Sequence, residues 1–171
     1  DALGRVTTMQ YDDRNRLTQI TDPDPDGAGD LAAPITGYTY DATNNQTAII
    51  DPLGRTATFE YDGRNRLSQV TAPDPDGEGA QIAPLSRYSY DAVSNLTATS
   101  NALGHTTQYQ YDALNRQIAV LDPLIQATQY GYDAVDNLLS VTDPLTNQTS
   151  YAYDGLNRLS QETNALGFSR T

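Results

Sequence analysis

Residues 105–126 read HTTQYQYDALNRQIAVLDPLIQ, and the order of residue types in that stretch decides the fold. A polar segment with an aromatic residue at every second place runs up to Tyr111-Asp112. A short ALN follows, an apolar segment returns to Asp122, and PLIQ closes the unit. Alternation at period two belongs to a half-buried strand and not to a helix. The unit reads as strand, turn, strand, turn.

Working outward, Tyr-Asp recurs as Tyr11-Asp12, Tyr40-Asp41, Tyr61-Asp62, Tyr90-Asp91, Tyr111-Asp112, Tyr132-Asp133 and Tyr153-Asp154, spaced by 29, 21, 29, 21, 21 and 21 residues. The period is 21, lengthened twice by eight, and self-similarity at such a period marks a repeat architecture. The additions are DPDPDGAGDLAAP at 22–34 and APDPDGEGAQIAP at 72–84. They make residues 1–50 and 51–100 a pair identical at 28 of 50 positions, the mark of a recent duplication. The whole of 1–171 is thus tandem repeats, starting and stopping inside a unit, and it reads as a fragment of a longer chain.

Within each unit the pattern assigns faces. Ala57, Phe59 and Tyr61 share one side of a strand while Thr56, Thr58 and Glu60 share the other. The returning strands, such as 17–21, 67–71 and 138–142, space Leu and the next Ile or Val three apart. That breaks the alternation and implies either a β-bulge or a Leu tucked under the turn. Asp51-Pro52-Leu53-Gly54 suits a type I turn, with Asp as acceptor, Pro presetting φ and Gly last. Asn15, Asn65, Asn115, Asn137 and Asn157, which follow the Tyr-Asp pairs, supply the residue tolerant of positive φ. The expectation is an all-β chain of fifteen short antiparallel strands, near 5–12, 16–21, 35–41, 45–50, 55–62, 66–71, 85–91 and onward, in one long sheet of tandem hairpins. Sheets that long usually curl, split or close, so this one is expected to curl as part of a shell or barrel-like wall.

Composition agrees. Hydrophobic residues make up 37%, and the aromatics are twelve Tyr with two Phe and no Trp, so an ordinary aliphatic core is excluded. All ten basic residues are Arg and nineteen of the 22 acidic ones are Asp, which removes the Lys and Glu that favour helix. A net charge of −12 argues against nucleic acid and anionic lipid as partners. There is no cysteine for a disulfide framework or a zinc-finger site, and no apolar run approaches the ~20 residues of a membrane span.

The pattern Y-D-x-x-N-R-L-x-x-V-T-D-P-L-G-x-x-T-x-Y-x-Y-D, carried here in seven in-register copies, resembles the YD repeat of Rhs proteins, wall-associated contact-toxin proteins, toxin-complex C components and teneurins. The resemblance covers essentially the whole chain. It implies a β-sheet that winds into a hollow shell, housing a C-terminal toxin in bacterial members or serving adhesion in teneurins. It also implies an extracellular or cell-surface setting in a bacterium, with flanking repeats of the same chain and an enclosed toxin as partners. Many members carry a core domain with aspartyl autoproteolysis; here DPLG occurs once, at 51–54, followed by an ordinary repeat, and no cleavage signature is present.

Five features carry competing readings. His105, the single histidine, fills the slot of Arg5 and Arg55 in sister repeats and reads as a strand-start residue instead of a catalytic base. The seven Asp residues after Tyr recur at every hairpin, which favours turn capping over paired catalytic carboxylates. Asp22, Asp24, Asp26 and Asp30 resemble a short calcium loop, but prolines fill the gaps, no bidentate Glu follows and Ala72 replaces the first Asp in the second copy; a Pro-stiffened spacer is preferred. Asn45, Asn95 and Asn147 open N-x-T triplets that would accept glycans only in a eukaryotic secretory setting. The Tyr rows read as cross-strand glue, with carbohydrate stacking in an adhesion module as the alternative; self-assembly of copies is a separate partner reading. Neither an enzymatic centre nor a cofactor is expected.

Overall fold

The computed structural model describes residues 5–27, 29–77 and 81–171, so Ala28 and residues 78–80 of the two long loops lie outside it. Among the described residues none is helical. The strands are β1 (Thr8–Tyr11), β2 (Leu17–Thr21), β3 (Ile35–Tyr40), β4 (Gln46–Ile50), β5 (Thr56–Tyr61), β6 (Leu67–Thr71) and β7 (Leu85–Tyr90). They continue as β8 (Leu96–Ser100), β9 (Thr106–Tyr111), β10 (Gln117–Leu121), β11 (Ala127–Tyr132), β12 (Leu138–Thr142), β13 (Gln148–Tyr153), β14 (Leu159–Thr163) and β15 (Ser169–Arg170). Strand order in the sheet is chain order. The chain divides into two compact units, Asp1–Arg87 and Tyr88–Thr171, each built from the same antiparallel hairpins.

The spacing of Leu and Ile in the returning strands is resolved in favour of the bulge. Tyr11 pairs with Leu17 while Gln10 pairs with Gln19, so Thr18 is the extra residue. The same slip recurs at Tyr40, Tyr61, Tyr111, Tyr132 and Tyr153. One added residue lets side chains three apart share a face. Leu17 and Ile20 therefore both stand on the Tyr side, opposite Tyr11 and Met9. In the same way Tyr38 faces Ile49, Phe59 faces Val70, Tyr109 faces Val120 and Tyr130 faces Val141. A ring opposite a β-branched residue is a favourable cross-strand pair. Thr18 and Ser160, at the bulge, donate their hydroxyls to the carbonyls of Gln10 and Ala152 across the ladder.

The register puts the Tyr side chains of each unit on one face of its strands. The burial of β5 alternates as the sequence implies, with Ala57, Phe59 and Tyr61 half-buried and Thr56, Thr58 and Glu60 exposed. Among the described residues no side chain is fully enclosed, and the only buried hydrophobic residue is Ala119. The accessible surface is 11497 Å², against roughly 8,200 Å² for a globular monomer of this mass. What holds the strands within each unit is lateral contact between neighbouring strands.

Twelve five-residue turns join the strands, and they are one design used at both ends of the hairpins. The N–H of the first residue donates to the carbonyl of the fifth, as from Asp12 to Arg16 at 3.0 Å and from Asp51 to Arg55 at 2.9 Å. The fourth residue always has positive φ, whether Asn15, Asn65, Asn115 and Asn157 or Gly54, Gly104 and Gly167. Asn137 departs from the expectation: it is fifth in its turn, and Asp136 takes the left-handed place at φ 70°. Position counted from the leading Asp decides, and Asp tolerates that conformation as Asn does. Asn44 and Ser94 take the same place in their turns.

The two long loops begin and end on the same backbone contact, Asp22 N–H to Pro34 O at 2.9 Å and Ala72 N–H to Pro84 O at 2.8 Å. Strand ends differ from the expectation by one to three residues. The Asp of Tyr-Asp belongs to the turn, and β1 starts at Thr8 because its partner strand ends opposite it at Thr21.

Ile125 takes the fourth place of its turn at φ 62°, a costly conformation for a β-branched residue, and its side chain is 62% exposed. Ile125→Gly should therefore raise stability by about 0.5–1 kcal/mol, the left-handed penalty less the extra chain entropy of Gly. Chemical denaturation beside wild type measures it, and a loss of stability would contradict the assignment of strain.

Candidate functional site

The repeated turn concentrates the chain's polar chemistry. At each head Asp12, Asp41, Asp51, Asp62, Asp91, Asp112, Asp122, Asp133, Asp143 or Asp154, Oδ1 accepts the N–H groups of the third and fifth turn residues. Asp62, for example, takes Arg64 at 2.8 Å and Arg66 at 3.1 Å. Asn101 and Asn164 do the same with their amide oxygens. Oδ2 is then left for the side chain of the fifth residue. Arg16, Arg55, Arg66, Arg116 and Arg158 reach it through Nε, and Asn45, Asn95, Asn137 and Asn147 through Nδ2.

Along the Tyr-Asp edge the fifth residue also fastens its turn to the next. Arg16 Nη1 donates to the Asp41 carbonyl at 2.9 Å and to Asn44 Oδ1 at 3.1 Å. Arg116 Nη1 repeats this with the Asp133 carbonyl at 2.6 Å and Asp136 Oδ1 at 3.0 Å. Where the fifth residue is Asn, its amide spans to the fourth residue of the following turn: Asn45 to Asn65, Asn95 to Asn115 and Asn137 to Asn157. The guanidinium groups of Arg16 and Arg116 also lie over the rings of Tyr40 and Tyr132, at 4.7 and 4.9 Å from the ring centres.

A Tyr side chain pairs an apolar ring with a polar tip, and on a half-buried strand that tip is placed to reach water or polar turn residues. The structure instead points Tyr40, Tyr61, Tyr132 and Tyr153 at backbone carbonyls of the preceding strand, those of Leu17, Gln46, Gln117 and Leu138, at 2.8 to 3.0 Å. Each acceptor is the first residue of a bulged pair, where the ladder is interrupted. The signal available in the sequence was the invariable Tyr before Asp, where Phe never stands.

The other candidates resolve as turn parts. His105 is the fifth residue of its turn, its N–H bonded to Asn101 Oδ1 and its carbonyl accepting from Asn101 N–H, both at 3.0 Å. The amides of Asn45, Asn95 and Asn147 are engaged by Asp carboxylates. In the first long loop Asp24 accepts the Asp26 N–H and Asp26 accepts the Leu31 N–H, both at 3.1 Å. Asp74 and Asp76 repeat these contacts in the second. Among the described residues no three His, Asp or Glu side chains, Asp22 and Asp30 included, gather where a metal ion could be held.

Residues 1–32, 40–78, 86–124 and 126–169 match the family model described as RHS Repeat, and the chain belongs to that family. Similar solved structures include the crystal structure of TcdB2-TccC3-Cdc42, with a TM-score of 0.71 and 19% identity. The crystal structure of TcdB2-TccC3 without its hypervariable C-terminal region gives 0.70 and 20%. Both likenesses cover 91% of this chain and 9% of the other, so they establish the fold over a small part of those larger chains. No curated protein matches. The antiparallel sheet of tandem hairpins read from the residues is the fold found.

Nine turn aspartates are held below the usual carboxylate range. At Asp62 the Arg66 side chain and then the Arg66 N–H lower the value to about 2. A folded value below the unfolded one contributes stability above the unfolded value, near 3.8, that is lost as pH falls through the folded one. Thermal melts should therefore decline as pH drops from about 4 toward 2. Asp62→Asn should keep the turn, as Asn101 does, and flatten that decline; an acid limb as steep as wild type would contradict it. Calorimetric titration with millimolar calcium should give no saturable heat, since the loop carboxylates are bonded to their own backbone. Saturable heat lost in Asp24→Ala would make the loop a metal site.

Proposed function

We propose that the chain is a wall segment of a large secreted or surface-displayed Rhs-type protein of bacterial origin, its sheet enclosing or presenting a C-terminal toxin. The observation that carries this reading is the direction of its bonding. Hairpins are fastened to their neighbours by ladder, hydroxyl and turn side chain, while Ala119 is the one buried hydrophobic residue among those described. A layer bonded sideways, with one half-covered aromatic face, has the construction of a boundary. Flanking repeats of the same chain would extend it, and the family resemblance supports the toxin as what lies behind it.

The competing use is adhesion, with the Tyr face stacking on carbohydrate. Under the wall reading Tyr130→Ala should cost about 2 kcal/mol, below the range for a fully buried ring because this one is half-covered. Tyr132→Phe should cost about 1 kcal/mol, the worth of its hydroxyl bond to Gln117. Neither should reveal glycan binding on an array; unchanged melts with glycan binding lost in Tyr130→Ala would replace the wall by an adhesin. Enclosure is tested in the full-length protein, where a toxin domain should resist protease until the sheet is denatured. Digestion of that domain under native conditions would rule enclosure out.

A further inference from the structure

The two long loops exceed what the sheet needs. Residues 72–84 close on one backbone contact, Ala72 N–H to Pro84 O at 2.8 Å, as the five-residue turns do. Extra length carried on a rigid sheet is where binding groups are commonly placed. This loop is also stiffened: Pro73 and Pro75 fix φ, Asp74 accepts the Asp76 N–H, and Asp76 accepts the Gln81 N–H, both at 3.2 Å.

Between residues 72–77 of the loop and the turn at 51–55 lies a groove of about 400 Å³, on the face turned away from Phe59 and Tyr61. That volume is in the range of small-molecule and side-chain sites. Thr56, Thr58 and Thr71 form its floor, and their hydroxyls have no partner among the described residues. Leu53, Ala72 and Ala83 line it with methyl groups.

Charge decides what the groove takes. Arg55 lines it but is neutralised by Asp51, through Nε at 2.7 Å and Nη2 at 2.6 Å. Asp74, half-buried, has no cationic partner among the described residues, so the three charges leave the groove negative. An ammonium group can be met by the Asp74 carboxylate and the Thr oxygens, while its alkyl stem lies along the methyl groups. A diamine would bring its second ammonium against Arg55. A Lys residue brings a backbone carbonyl instead, and Arg55 Nη1 has no acceptor among the described residues.

We propose that this groove is a docking site for the Lys side chain of a partner polypeptide, with the ammonium on Asp74 and the Lys carbonyl on Arg55. Arg5, Thr8, Thr21, Asp24, Gly27 and Ala33 stand at the corresponding places of the first duplicate, so the chain carries the set twice. Such docking needs neither toxin enclosure nor the Tyr face.

Amide-shift NMR titration of the purified chain with Nα-acetyl-lysine methylamide, from about 0.1 to 50 mM, suits the millimolar affinity of a single side chain. Shifts should saturate and centre on residues 53–58 and 71–77. Asp74→Asn keeps an acceptor for the Asp76 N–H but loses the charge, and should weaken binding by roughly tenfold. Thr58→Val should weaken it by roughly threefold, the worth of one neutral hydrogen bond. Both should melt as wild type does. Asp13→Asn, an exposed charge outside the groove, should leave binding unchanged, and Nα-acetyl-norleucine methylamide, which lacks the ammonium, should not bind. No saturable shift overturns the site, as does equal weakening by Asp13→Asn and Asp74→Asn, which would reduce it to attraction by the net charge of −12. Equal binding of the norleucine compound would leave an apolar groove only, and equal binding of putrescine would replace the polypeptide by a free amine.

Discussion

A carboxylate divided between its two oxygens organises this protein. At the head of a turn, Oδ1 collects two backbone N–H groups that the tight reversal leaves without ladder partners, and Oδ2 fixes the fifth side chain. Charge-assisted hydrogen bonds of this kind are about twice as strong as neutral ones. Because the fifth residue starts the returning strand, holding it sets where that strand begins. The bulge then falls in the same place each time, and the Leu and the later Ile or Val arrive on the Tyr side together.

The bulge has a second effect. It interrupts the ladder beside the first residue of the returning strand, and the Tyr hydroxyl of the next hairpin bonds to that residue's carbonyl. Turn, bulge and Tyr are thus linked in sequence, each creating the need that the following one meets. Cohesion arises between neighbours, as in other repeat proteins, where stability is close to a sum of unit and nearest-neighbour contributions. This is how a chain with few aliphatic residues orders fifteen strands without a central core.

Most of the architecture was legible because it is written in local signals. Tyr-x-Tyr marked the face, DPLG marked a turn, and the 21-residue period set the number of hairpins. What escaped was relational. DPLGR and YDGRNR look unlike one another, yet Asp51 and Asp62 make the same set of bonds, which depends on distance from the Asp and not on the intervening residue types. Adjacent candidates such as Asp136 and Asn137 cannot be ranked by propensity, since both tolerate positive φ. The Tyr hydroxyl's partner is a carbonyl exposed by backbone irregularity, and no side chain in the sequence announces it.

The joint between hairpins has a genetic consequence. Its donor atoms come from one turn and its acceptors from a backbone carbonyl and a fourth residue that is Asn, Asp or Ser on the Tyr-Asp edge. Unequal crossing-over between tandem copies can therefore add or delete hairpins without new fitted surfaces, as the near-copy of residues 1–50 in 51–100 records. The closing contact of a turn tolerates thirteen residues in place of five, as 22–34 shows. Length polymorphism in such genes should fall in whole hairpins, with shorter insertions confined to the turns.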